Sequence, residues 1–243
     1  MAILELRDVT KSFGGLVAVR KLNIKVEKQE ILGLIGPNGA GKTTAFNLVA
    51  CAMRPDSGEI VFNGNNLVGL RPHQACKLGI GRTFQVVKPF AEMTVLQNVM
   101  AAAFLRGGDR HGAEKLAREL LQFAQFYHRK DMPAVDLPIA ERKRLELVRA
   151  LATEPKLLLL DEVMAGCNHR EIDEMLALLR HVRDRGITLI VVEHVMKAVM
   201  NLCDRVALLH HGEKIAEGTP REIARDERAI KAYLGEEYGA VRS

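Results

Sequence analysis

The chain has 243 residues, 48% hydrophobic and 27% charged, which is enough for one large domain or two small ones around a real core. A net charge of +5 suits anionic ligands or surfaces in general, but no Lys/Arg run exceeds three and aromatics are only 5%, which argues against nucleic acid as a partner. No run approaches the length of a membrane span, the four scattered cysteines form no Cys-x-x-Cys, and MAILELRDVT lacks a basic-then-apolar leader pattern, so a reduced, non-exported protein without zinc or disulfides is expected.

In chain order, ILELRDVTKSF and LVAVRKLNIKVEKQE alternate apolar and polar residues and predict half-exposed antiparallel strands. ILGLIG, residues 31–36, is continuously apolar and predicts a buried strand; TTAFNLVACAM predicts a helix after it. EIVFNGNNL predicts a strand with an Asn-Gly turn. From about Gln85 to Ala150 the spacing turns helical, in TVLQNVMAAAFL and AEKLARELLQFAQFY, with RGGDRHG between them predicted as a loop. KLLLLD, ITLIVVEH and DRVALLH are short apolar runs of the parallel-sheet kind. Between the first two, Asn168 and Glu171 form a capping box, Ile172, Met175, Leu176, Leu179 and Val182 share a helical face, and Gly186 stops the helix. Thr219-Pro220-Arg221-Glu222 is a second box. Strands alternating with helices imply a covered parallel sheet, whose ligands sit at the carboxyl ends of the strands.

The chemistry is concentrated at those ends. GPNGAGKT fits G-x-x-x-x-G-K-[ST] between a predicted strand and a predicted helix. Gly36, Pro37, Asn38, Gly39, Ala40 and Gly41 would cradle phosphate with backbone N–H groups, with Thr44 adjoining; Lys42 would reach the terminal phosphates and the Thr43 hydroxyl would bind Mg²⁺. Asp161 ends the apolar run LLLLD and can hold Mg²⁺, while Glu162 can activate the attacking water. His194 lies just past the next strand, where it is either a γ-phosphate contact or a structural histidine.

These motifs, in this order and spacing, resemble the ATP-binding cassette family of transporter ATPases over essentially the whole chain. The resemblance is strongest to the ATPases of branched-chain amino acid importers, through FGGLVAV, RTFQ, RLELVRALATEPKLLLLDE, VVEHVMKAVM, CDRVALLH and AIKAYLGEEY. It implies an α/β P-loop NTPase (RecA-like) core with an N-terminal antiparallel β layer, over about 1–84 and 151–243, and an inserted α-helical subdomain over about 85–150. It implies ATP and Mg²⁺ as cofactors, adenine stacked on Phe13 (otherwise a packed turn residue) and Gln85 joining Mg²⁺ and water to the transport partner. Expected partners are integral-membrane permease subunits docking near Gln85 and Phe90, a second ATPase subunit and, indirectly, a substrate-binding protein. The expected location is the cytoplasmic face of a bacterial or archaeal plasma membrane, reached through the permeases. A lipopolysaccharide-export ATPase and a regulatory module with weak or lost ATPase activity stand as alternatives.

Three departures from the family pattern stand out. Where the family carries LSGGQ, closing on the ATP of the partner subunit, this sequence has Leu137, Pro138, Ile139, Ala140 and Glu141. The serine hydroxyl is gone, proline lacks an N–H, and side chains replace both glycines. The helix dipole and the Ile139 and Ala140 amides remain, so an active but slow ATPase is expected. The other reading of this helix is a plain surface helix with Arg142, Lys143 and Arg144 as a solvated face. Asn168 replaces the usual Asp, and Val163-Met164 the usual Pro-Thr.

Overall fold

The computed structural model of the protein describes residues 2–84 and 88–232. β1 (Ala2–Phe13) and β2 (Leu16–Glu27) pair antiparallel across a turn at Gly14-Gly15. β3 (Ile31–Ile35) is buried along its whole length and delivers the chain through a tight loop into α1 (Lys42–Val49). That helix stops short of the predicted Met53, at a left-handed Cys51 (φ 56°). β4 (Ser57–Phe62) turns at Asn63 and Gly64, both at positive φ, into the two-residue β5 (Asn65–Asn66), as an Asn-Gly hairpin turn requires. α2 (Pro72–Leu78) and β6 (Ile80–Arg82) follow.

Next come α3 (Val95–Gly107) and α4 (Arg110–Phe123). The RGGDRHG segment predicted as a loop is mostly helical: Asp109 caps α4 by accepting from the Gly112 N–H at 2.7 Å, so little more than Gly108 and Asp109 separates the two helices. Two 3₁₀ turns lead into α5 (Ile139–Leu151), whose N-cap is Pro138; the proline therefore lies just outside the helix rather than in its first turn.

β7 (Leu157–Asp161), α6 (His169–Asp184), β8 (Thr188–Val192), α7 (Met196–Leu202), β9 (Arg205–His210), β10 (Glu213–Gly218) and α8 (Pro220–Ile223) complete the described chain, with 227–232 also helical. Both capping boxes form, at Asn168 with Glu171 and at Thr219 with Glu222.

The strands make two sheets. One is antiparallel, in the order β2-β1-β4-β5; the other runs β10-β9-β3-β8-β7-β6, parallel except for the β9–β10 hairpin. Side-chain alternation splits the core between the faces of the second sheet. Ile31, Ile35, Leu158, Leu160, Leu189 and Val191 pack with α3 to α6. Leu32, Leu34, Leu157, Leu159, Ile190 and Val192 pack with α1 and the antiparallel sheet. Both faces are covered, which is why these strands read as unbroken apolar runs. The carboxyl ends of β3, β7 and β8 lie side by side, in register from Leu34 to Val192 and from Val192 to Asp161.

Candidate functional site

The loop from β3 to α1 is built around two glycines. A Cβ on Gly36 would sit 2.1 Å from the Leu209 carbonyl oxygen, and one on Gly41 would sit 2.3 Å from that of Ala18. Both have positive φ, 148° and 98°, so only glycine lets the loop press against β9 and β2. Lys42 is buried and curls back into the loop, donating to the carbonyls of Gly36 at 2.6 Å and Pro37 at 2.7 Å. The Ala40 N–H turns onto the Pro37 carbonyl at 3.2 Å, so this amide is spent on the loop itself. Asn38, Gly39 and Thr43 are exposed.

This loop forms one wall of a cleft of about 420 Å³. Phe13, Leu16 and His211 also line the cleft, as do Glu162 and His194. Phe13 is 49% exposed, with the Lys11 ammonium 5.6 Å from its ring centre, so it is a free-standing aromatic face and not a packed turn residue.

Asp161 ends β7 almost fully buried, its N–H accepted by the Thr83 hydroxyl at 3.2 Å. Burial pushes its carboxyl above the usual carboxylate range, against the pull of Arg82 and Lys42. Glu162 breaks the strand in a left-handed conformation, φ 50°, while its N–H still bonds the Val192 carbonyl at 2.9 Å. A non-glycine residue held there is strained, and the twist swings the carboxylate into the cleft. Its Oε1 lies 2.8 Å from Nε2 of His194.

The chain does not bring every predicted residue to this cleft. Ala140 and Glu141 line a separate hollow of about 310 Å³ with Cys167 and Asn168. Glu141 is turned onto Arg129 at 2.9 Å. Ile139 is 66% exposed, and Pro138 caps α5 without a side-chain hydrogen bond. Gln85 lies outside the described residues.

The solvated-face reading of 142–144 is wrong for Lys143. It is buried, and its ammonium donates to the Glu162 carbonyl at 2.8 Å and to the Ala165 carbonyl. Helical spacing could have shown this, since Lys143 shares a stripe with Leu147 and Leu151. Val163 and Met164 are buried, and the Met164 N–H donates to Oε1 of Glu193 at 2.9 Å. Glu193 is also buried, its other carboxylate oxygen lacks a partner, and burial pushes its carboxyl up to about 7. Asn168 spends its side chain on capping α6, accepting from the Glu171 N–H at 3.0 Å.

The donor set fits a nucleoside triphosphate with Mg²⁺. A buried lysine within a glycine-hinged loop suits polyphosphate, and a threonine hydroxyl with a buried carboxylate offers the hard oxygens Mg²⁺ prefers. Among the described residues no group of three or more His, Cys, Asp or Glu side chains could hold a metal by itself, so the phosphates and water would have to complete the shell.

Comparison with known families decides the class. The ABC transporter family matches residues 19–165, more than half of the chain. The chain belongs to that family. Residues 213–239 of this cassette also match the family described as branched-chain amino acid ATP-binding cassette transporter. The high-affinity branched-chain amino acid transport ATP-binding protein BraF of Pseudomonas aeruginosa is 37% identical, with 96% of this chain and 98% of BraF covered. The lipopolysaccharide export system ATP-binding protein LptB of Escherichia coli is 34% identical over 98% of this chain and 99% of its own. Among solved structures, the ADP conformation of an ATP-binding cassette superposes with a TM-score of 0.88 at 28% identity, covering 97% of this chain and 99% of that one. The cassette is an ATP-binding, ATP-hydrolysing subunit. No described helix is long and apolar enough to cross a membrane.

Proposed function

We propose that this cassette powers an importer of branched-chain amino acids, as one of two ATPase subunits bound to membrane permeases at the cytoplasmic face of a bacterial or archaeal plasma membrane. The observation that carries the chemistry is that the Glu162–His194 pair and the Lys42 loop line one cleft. ATP would supply the phosphoryl group and Mg²⁺ would offset its charge. Lys42 and the loop amides would grip the phosphates, and Thr43 and Asp161 would hold the metal. Adenine stacks on Phe13. Glu162 orients water and takes its proton, and His194 holds Glu162 and the transferred group in register.

The separation of residues 138–141 from this cleft supports a head-to-tail pair, in which the α5 start of one subunit faces the nucleotide of the other. The described helices α3 to α5 form the part that would swing on closure. The permeases dock in an apolar hollow of about 420 Å³ beside Phe84, with the exposed Phe90 nearby.

The importer reading is favoured by the match at 213–239, and LptB keeps lipopolysaccharide export as the second reading. Co-purification with tagged permeases tests the choice. Capture of two importer permeases with amino-acid-stimulated ATPase activity supports it, and capture of a lipid-extracting complex overturns it. Single-turnover hydrolysis by the purified cassette tests the chemistry directly: ATP bound but never cleaved would leave only a regulatory module.

A further inference from the structure

Three consecutive residues each hold the turn that carries Glu162. The Val192 carbonyl, at the end of β8, accepts the Glu162 N–H at 2.9 Å. Glu193 Oε1 accepts the Met164 N–H at 2.9 Å. His194 Nε2 meets Glu162 Oε1 at 2.8 Å. The first and third bonds end on Glu162 itself. The middle one reaches two residues further along the turn. Lys143 adds a hold from α5, through the carbonyls of Glu162 and Ala165.

Glu193 is the least expected member of this set. It is buried, and its second carboxylate oxygen has no hydrogen-bond partner. Burying a carboxylate is costly, and an apolar residue would fill the same space at less expense. What an apolar residue cannot do is accept the N–H of Met164, which is buried too. A buried backbone N–H is rarely left unmet. Charge is not needed for that task. Burial raises the Glu193 carboxyl to about 7, and its neutral and ionised forms both keep an oxygen that accepts.

The bond matters because of where it falls. Glu162 is left-handed, φ 50°, and a non-glycine residue stays there only where its surroundings over-determine it. Val192 fixes the chain at the N–H of the strained residue, and Glu193 fixes it two residues later. Together they set the direction in which the Glu162 side chain leaves the backbone, into the cleft that it lines with the Lys42 loop. Glu193 is not among the residues lining that cleft.

We propose that Glu193 is a positioning residue for hydrolysis: by accepting the Met164 N–H it locks the left-handed twist of Glu162 and so aims the Glu162 carboxylate at the attacking water. This rests on the reading of Glu162 as the group that orients water.

The test is single-turnover ATP hydrolysis by the purified full chain, at concentrations where subunits pair, with nucleotide affinity and melting measured beside it. Glu193→Leu removes the acceptor, and Glu193→Asp withdraws it by one methylene. Glu193→Gln keeps an acceptor at full reach without the charge. The Leu and Asp variants are expected to hydrolyse ATP roughly ten- to a hundredfold more slowly, with nucleotide affinity within about twofold of wild type. Glu193→Gln should recover most of the rate. A rate that follows the reach of the acceptor, and not charge or melting temperature, separates positioning from stability.

Wild-type rates in folded Glu193→Leu and Glu193→Asp overturn the proposal. So does a Glu193→Gln as slow as Glu193→Leu, which would make the charge the essential feature. Equal losses in turnover and nucleotide affinity, or failure of both the Leu and Asp variants to fold, would make Glu193 structural and overturn it as well. Glu162→Gln in the same assay keeps the two readings apart. If it hydrolyses at the wild-type rate, the role of Glu162 falls and takes this proposal with it. A slow Glu162→Gln beside a fast Glu193→Leu removes Glu193 alone.

Discussion

Nε2 of His194 lies 2.8 Å from Oε1 of Glu162, joining the chain just past β8 to the chain just past β7 within the cleft. A glutamine at 162 keeps the size and can still bond His194, but cannot accept a proton from water. Glu162→Gln is expected to lower ATP turnover by about a hundredfold or more. Nucleotide affinity should change little, because Lys42 and the loop amides are untouched. Phosphate release and titration with a fluorescent nucleotide check the two halves. Unchanged turnover would remove Glu162 from the proton transfer.

Lys143 ties α5 to the loop that carries Glu162, through the carbonyls of Glu162 and Ala165. Lys143→Met keeps the aliphatic stem and removes the donors. Leaving buried carbonyls unmet costs about 1–3 kcal/mol, and the strained φ of Glu162 loses a support. Turnover should fall with little change in nucleotide affinity, and Lys143→Arg should recover most of it. A melting shift without any fall in turnover would confine Lys143 to stability.

Much of the site was legible because its determinants are local. GPNGAGKT carries its own turn geometry, and LLLLDE marks a buried strand end by contrast alone. Arg82 carries no signal in the sequence and Lys143 a misleading one. β6 is only three residues with a glycine in the middle, too short for any periodicity, and it is strand because it pairs with β7. Lys143 sits in an Arg-Lys-Arg run that reads as surface, and only the return of the 162–165 loop over α5 buries it. Glu193 had a visible signal, a carboxylate inside VVEH, but the Met164 N–H that it accepts comes from the turn after a different strand. The loop forecast at RGGDRHG failed because a single capping aspartate outweighed the local glycines.

Glu193 gives the fold a pH dependence. Burial raises its carboxyl to about 7, against the Met164 N–H and the Lys143 charge, with Glu162 pushing the same way as burial. The folded state therefore holds a proton that the unfolded chain has lost above about pH 4.3. Stability falls as pH rises from there through 7, by roughly 4 kcal/mol at 1.36 kcal/mol per unit. Glu193→Gln should be flatter between pH 5 and 8, so wild type loses more melting temperature over that interval than the variant. Parallel melting curves would show that Glu193 is ionised throughout.

The start of α5 stands where the family resemblance expects a phosphate-closing signature, and a repair there is testable. Pro138 caps the helix with no side-chain bond, and Ile139 presents an exposed alkyl group where a phosphate would approach. A triple variant, Pro138→Ser with Ile139→Gly and Ala140→Gly, restores a hydroxyl and an amide and opens the approach. Serine at the cap gains about 1 kcal/mol, while each glycine in the first turn costs up to about 1 kcal/mol, so stability should drop only slightly. A hydrogen bond to a charged group contributes about 1.5–3 kcal/mol, so dimer-dependent turnover should rise about tenfold or more. The rise should appear only at protein concentrations where the subunits pair, since residues 138–141 lie outside their own chain's cleft. Turnover that stays level or falls, at every concentration, would mean that the missing contacts do not limit hydrolysis.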